Sequence, residues 1–202
     1  RLREIHGDHD VETIPLAVDT DHYWFEANPS MARERLDISH RGPLLFTARR
    51  LVPRVGVATL LDAMETIVAA YPDARLIVAG TGPLADDLES QAATLGLDES
   101  VQFTGFIPEE TIPDYYRAAD LSLMPTQALE GFGLSTLESL SCGTPVIATP
   151  VGANPEVLEP LDSDMITDGT DASDLASSIV TWLDENGTRS HRSQCRAYVE
   201  NR

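Results

Sequence analysis

Glu130-Gly131-Phe132-Gly133-Leu134-Ser135-Thr136-Leu137-Glu138-Ser139-Leu140-Ser141-Cys142-Gly143-Thr144-Pro145-Val146-Ile147-Ala148 reads as an acid on a loop, a glycine-flanked helix start, a short helix and a buried strand. Gly131 and Gly133 let backbone approach a ligand closely, and the turn after them exposes unpaired N–H groups at the positive end of a helix dipole. Such a turn is an anion site, and phosphate is its usual occupant. Glu138 lies about a turn inside the helix, on the side of Leu134 and too far in to cap it. An ionised carboxylate only accepts hydrogen bonds, which suits a pair of sugar hydroxyls. Glu130, eight residues earlier, can hold a second polyol. Ribose, diphosphate and hexose follow one another in that order in a nucleotide sugar.

Outward from this stretch the chain alternates strand and helix. Leu44-Leu45-Phe46-Thr47-Ala48, Arg75 to Gly80, Val101-Gln102-Phe103-Thr104-Gly105, Asp120 to Pro125 and residues 145–149 are short apolar runs that predict strands. Between them the pattern predicts helices: one after Pro53 with Leu60, Leu61, Met64, Ile67, Val68 and Tyr71 on one face, then 84–95, 109–119 and the motif helix. A short helix at Glu156-Val157-Leu158, a weak strand at 164–167, a helix over 172–185 and an amphipathic one near 188–200 follow. Buried strands separated by helices imply an α/β fold, a doubly wound parallel sheet, in which ligands bind at the carboxyl ends of the strands. Residues 1–13 read as a polar lead-in or the end of a missing N-terminal domain, and 14–202 as one Rossmann-like domain. His6 and His9 with Asp8 and Asp10 have a metal-like spacing but read as a solvated terminus. Asn186-Gly187-Thr188 matches a glycosylation acceptor and reads more simply as a helix-ending turn.

Charge sets the remaining bounds. In 202 residues there are 33 acidic side chains against 14 basic ones, every basic one an arginine, for a net charge of −19. The acids are spread along the chain, so the surface repels nucleic acid and anionic lipid and suggests a salt-adapted protein. It repels a nucleotide sugar too, so a donor site must concentrate arginine locally. Arg49, Arg50 and Arg54 do so just after the first predicted strand. Alternation along a strand sets Arg49 and Arg50 on opposite faces. No apolar run is long enough to span a membrane, and of Cys142 and Cys195, which sit in very different contexts, Cys142 falls in the motif helix and reads as a small buried hydrophobe rather than half of a disulfide, which together point to the cytoplasm.

Glu130 and Glu138 enclosing Gly131-Phe132-Gly133, followed by Cys142 to Thr149 and Gly152-Ala153-Asn154-Pro155-Glu156-Val157, resemble the E-x7-E motif and sequel of retaining glycosyltransferases of family GT4. Ile14-Pro15-Leu16-Ala17-Val18-Asp19 resembles the entry to that family's donor domain, with Leu16-Ala17 in place of Asn-Gly. The resemblance implies one half of a two-domain GT-B fold that binds a nucleotide diphosphate sugar, with the acceptor held by a missing N-terminal domain and no metal or other cofactor. It implies that Glu138 holds the ribose, Glu130 the hexose and Arg50 the diphosphate, Glu130 and Arg50 being the catalytic pair. Backbone of Gly131, Phe132, Gly133, Leu134, Ser135 and Thr136 would bridge sugar and phosphate. Arg50 to Val55 matches the family's Arg-x4-Lys clamp with valine in the lysine position, a departure that leaves Arg54 as the surrogate cation. Gly82, in a G-x-G-P turn, reads as a donor contact or as a plain strand cap. Phe106 and Ile107 read as nucleobase contacts or as core. A nucleotide-sugar epimerase of the same fold and a non-catalytic nucleotide-sugar scaffold are the alternatives.

Overall fold

The computed structural model describes residues 17–185 and 191–201. The expectations placed on His6, Asp8, His9 and Asp10, on Ile14 to Leu16, and on Asn186-Gly187-Thr188 lie outside the described residues, as does the domain boundary at 14. Five strands, β1 (Leu44–Ala48), β2 (Arg75–Ala79), β3 (Val101–Gly105), β4 (Leu121–Met124) and β5 (Val146–Ala148), form one parallel sheet in the order β3-β2-β1-β4-β5. The chain winds outward from β1 to β3, then returns to β4 on the other side of β1. The order therefore reverses between β1 and β4, and the loops leaving those two strands flank the crevice.

Both faces of the sheet are covered, which is why the strands read as continuous apolar runs. On one face Leu45, Leu76, Val78, Leu121, Leu123 and Ile147 pack under helices α2 (Val57–Ala70) and α7 (Ala172–Glu185). On the other, Leu44, Phe46, Ile77 and Ala79 meet Tyr116 of α4 (Ile112–Ala118) and Ala32 of α1 (Pro29–Arg35). The remaining helices are α3 (Ala85–Thr94), the motif helix α5 (Leu134–Ser141), α6 (Asn154–Leu158) and α8 (Arg192–Glu200).

Two elements differ from expectation. The weak strand at 164–167 is a 3-10 turn, Ser163–Met165, joined to the sheet by a single bridge from Ala148 to Ile166. The Asp162 side chain accepts from the Asp164 N–H at 3.0 Å and bends the chain out of strand geometry there. Helix α1 was not anticipated. Asn28 caps it by accepting from the Ser30 N–H, and Pro29 opens it with a preset φ.

Helix α8 locks the entry segment onto the motif side of the sheet. The Arg192 side chain, 1% exposed, donates to the carbonyls of Glu26, Arg117 and Ala119. Arg196 donates to the carbonyls of Thr20, Tyr23 and Ser141. Six carbonyls accept from these two guanidinium groups, and residues 20–26 are held against α4 and α5.

Candidate donor site at the sheet switch point

Helix α5 begins at Gly133, whose φ of 77° is the left-handed conformation that ends the preceding loop and opens the helix. A Cβ on Gly131 would meet nothing within 4 Å, so the loop's outer face is open. Within the first turn of α5 the Thr136 N–H donates to the Gly133 carbonyl at 2.9 Å, which leaves the N–H groups of Leu134 and Ser135 as the open donors of the helix start. Phe132 is packed against the core as a plug under the loop, and Leu134 is exposed. Ser135 is half-buried, and the buried Thr136 Oγ1 has no hydrogen-bond partner.

Glu130 is held on the inside of the same loop. Its Oε2 accepts from Arg49 Nη2 at 2.5 Å and from Thr126 Oγ1 at 2.7 Å, with side-chain exposures of 10% for Arg49 and 11% for Glu130. Burial pushes the Glu130 carboxyl upward, but the bonds from Arg49 and Thr126 outweigh it and hold the group below its ordinary value. The loop 150–153 closes from behind. A Cβ on Gly152 would sit 2.1 Å from the Glu130 carbonyl oxygen.

Glu138, one helix turn and more beyond, faces a different environment. Tyr116 Oη donates to its Oε2 at 3.3 Å, and the Tyr23 hydroxyl is turned to the same carboxylate. Burial raises the Glu138 carboxyl above its ordinary value, with the two hydroxyls opposing that rise and Glu109 adding to it. Burial likewise pushes the Tyr116 hydroxyl well up, so it stays a donor. The two carboxylates of the motif are therefore tuned apart: Arg49 and Thr126 favour the charged form of Glu130, whereas Glu138 is desolvated beside two tyrosines.

The arginines fall out differently from the sequence order. Arg49, continuing the Leu45-Thr47 side of β1, is the one that reaches Glu130. Arg50 is exposed, and its side chain has no hydrogen-bond or ion-pair partner among the described residues. Arg54 is exposed and donates to the Leu129 carbonyl at 3.1 Å, fastening the motif loop. Val55, in the lysine position of the family clamp, is 2% exposed and offers no charge. Gly82 abuts the neighbouring loop, since a Cβ there would lie 2.2 Å from the Leu51 carbonyl oxygen. Ile107 is 8% exposed and packs in the second core cluster, whereas Phe106 beside it is 76% exposed. Tyr23, Tyr116 and Thr126 were not singled out from sequence. Their spacing from the glutamates carries no motif, and only the fold brings them in.

Two concavities, of about 780 and 910 Å3, lie at the amino ends of the strands, around Ser39 to Pro43 and around Arg75 and Asp98 to Phe103. They are remote from the motif loop. Among the described residues no three His, Cys, Asp or Glu side chains gather as a metal-holding group.

A five-stranded parallel sheet flanked by helices, with Glu130 before and Glu138 within a glycine-opened helix that follows β4, is the architecture of one half of the GT-B glycosyltransferases. The family model described as "Glycosyl transferases group 1" matches residues 31–202, and the chain belongs to that family, the GT4-type glycosyltransferases. It is 33% identical over 176 residues to a GDP-mannose-dependent alpha-(1-6)-phosphatidylinositol monomannoside mannosyltransferase of Mycolicibacterium smegmatis, covering 84% of this chain and 46% of that one. A GDP-mannose-dependent monoacylated alpha-(1-6)-phosphatidylinositol monomannoside mannosyltransferase of Corynebacterium glutamicum is 31% identical, over 99% of this chain and 54% of that one. Among solved structures, the sucrose-phosphate synthase of Thermosynechococcus elongatus superposes with a TM-score of 0.82 at 27% identity, over 93% of this chain and 47% of that one. The C-terminal domain of a group 1 glycosyl transferase from Francisella tularensis superposes with a TM-score of 0.81 at 25% identity, over 92% of this chain and 98% of that one. The chain spans about half the length of the curated relatives it matches. No helix among the described residues is long and apolar enough to cross a membrane.

Proposed function

We propose that this chain is the donor-binding domain of a retaining glycosyltransferase that takes its sugar from a nucleoside diphosphate, with GDP-mannose the first donor to try. The observation that carries the reading is the placement of Glu130 and Glu138 on either side of the Gly133 helix start, at the carboxyl ends of β1 and β4. Glu138 takes the ribose hydroxyls, Glu130 the hexose hydroxyls, and the N–H groups of the first turn of α5 take the diphosphate. Neutralisation by helix N–H groups and arginine makes a metal unnecessary. The leaving diphosphate stays held while the acceptor hydroxyl attacks the same face of the anomeric carbon, which retains its configuration. The acceptor is supplied by another domain, so this half alone binds donor and does not transfer. The choice of GDP-mannose comes from the two mannosyltransferase relatives.

Val55 favours a second reading, a protein of the same fold that binds nucleotide sugars without turning them over, because the diphosphate clamp lacks its lysine. Calorimetric titration of the chain with GDP-mannose, UDP-glucose and ADP-glucose tests the shared part of both readings. Saturable binding of one of them is expected. Absence of binding across the panel refutes both.

A further inference from the structure

Three arginines stand at the exit of β1; Arg54 fastens the backbone of the motif loop, and Arg49 is the one whose guanidinium reaches a carboxylate of the motif. Its Nη2 donates to Glu130 Oε2 at 2.5 Å and to Thr126 Oγ1 at 3.1 Å, and its Nη1 to Met124 Sδ at 3.1 Å. Thr126 Oγ1 in turn gives its own proton to the same Glu130 oxygen at 2.7 Å. The three side chains close a triangle. Both strong bonds land on Oε2, so the other oxygen, Oε1, keeps its lone pairs free of the triangle. Three of the five guanidinium donor hydrogens are spent inside the protein, which leaves Arg49 poorly placed to act as an open phosphate clamp. The frame is stiff on every side. Arg49 N is tied to the Ala79 carbonyl, the Glu130 backbone rests on Gly152, and β1 and β4 are paired through Leu45–Leu121 and Phe46–Ser122.

We propose that Arg49 is the positioning residue for the donor's sugar: with Thr126 it clamps Oε2 of Glu130 and presents Oε1 to the sugar hydroxyls. The assignment rests on the donor-binding reading above and adds to it a residue that acts through Glu130 rather than on the nucleotide. It separates the two halves of the ligand. A group that works through Glu130 affects the sugar, whereas a group that clamps phosphate affects the nucleoside diphosphate with or without its sugar.

The test compares GDP-mannose with GDP, and UDP-glucose with UDP, by calorimetry on wild type, Arg49→Met, Arg49→Lys, Thr126→Val and Glu130→Gln. Arg49→Met is expected to weaken the nucleotide sugar about tenfold or more, as for loss of a charge-assisted bond, while changing the bare diphosphate by less than about threefold. Arg49→Lys recovers part of the loss. In the Glu130→Gln background the Arg49 effect collapses, because the residue it acts through has lost its charge. Should Arg49→Met fail to fold, Thr126→Val removes the other bond to Oε2 and is expected to show the same sugar-selective loss, smaller in size. An equal loss for sugar and bare diphosphate means Arg49 touches phosphate and overturns the proposal while the donor-binding reading stands. Undiminished sugar binding in Arg49→Met overturns it as well. If wild type binds neither member of either pair, the donor-binding reading fails and takes the proposal with it.

Discussion

Gly152→Ala is the substitution whose consequence is most directly fixed by geometry. Gly152 has φ 62°, and a Cβ there would lie 2.1 Å from the Glu130 carbonyl oxygen and 2.8 Å from the Glu130 Cβ. Ordinary contact begins near 3.4 Å, so the two backbones must part by roughly an ångström or more. The neighbour is backbone and cannot swing away as a side-chain tip would. Left-handed φ costs an alanine about 1–2 kcal/mol, and overpacking adds about 1–3 kcal/mol, so the variant should lose roughly 2–5 kcal/mol of stability. Glu130 is pinned on its far side by Arg49 and Thr126, so the displacement falls on its carboxylate. A carboxylate displaced by about an ångström loses its charge-assisted bond to the sugar, which weakens nucleotide-sugar binding by about tenfold or more. Urea unfolding gives the first number, and titration with GDP-mannose the second. An alanine variant as stable as wild type, binding the nucleotide sugar equally well, would refute the claim that loop 150–153 sets the position of Glu130.

Three further outcomes follow from the same structure. Glu138→Gln should weaken nucleotide binding by about 1–3 kcal/mol, because charge-assisted bonds to ribose hydroxyls become neutral ones; unchanged affinity in the titration would make Glu138 a purely structural partner of Tyr23 and Tyr116. Stability should change with pH in two opposite steps. Glu138 binds its proton above the ordinary 4.5, so stability rises as pH falls toward 4.5; Asp114, held below 3.8 by Arg35 and Arg117 despite its burial, and Glu130 make stability fall once pH drops further. Urea midpoints between pH 7 and 3 should therefore lose the first step in Glu138→Gln and part of the second in Asp114→Asn; midpoints that fall steadily from pH 7 would contradict the assignment. With a net charge of −19, the melting temperature should rise as KCl goes from low to molar concentration, where the Debye length shrinks to about 3 Å, and a flat curve would remove the case for salt adaptation.

The strands were legible because burial on both faces leaves little besides apolar residues in them, as in Leu44 to Ala48 and Arg75 to Ala79. The strand at 164–167 was not, because a capping aspartate at 162 outweighs the β propensity of Ile166. Helix α1 carried a signal, the Asn28-Pro29 start, in a segment too short for an apolar period to show. At the site, the E-x7-E spacing reveals which residues to examine and little about their partners. Which arginine of the Arg49-Arg50 pair faces Glu130 depends on the parity of β1 relative to a loop some 80 residues later, which no local pattern encodes. The same holds for Tyr116 against Glu138, 22 residues apart across a strand, and for Tyr23, which α8 presses into place from the far end of the chain.

The central claim is that nucleotide sugar sits on the loop between Glu130 and Glu138. Hydrogen–deuterium exchange with and without a saturating nucleotide sugar from the panel locates it directly. The account predicts slowed exchange in peptides covering 129–138, at the first turn of α5, with little change around Ser39 to Pro43 and Asp98 to Phe103 at the amino ends of the strands. Protection confined to those amino-end concavities, with 129–138 unchanged, would contradict it.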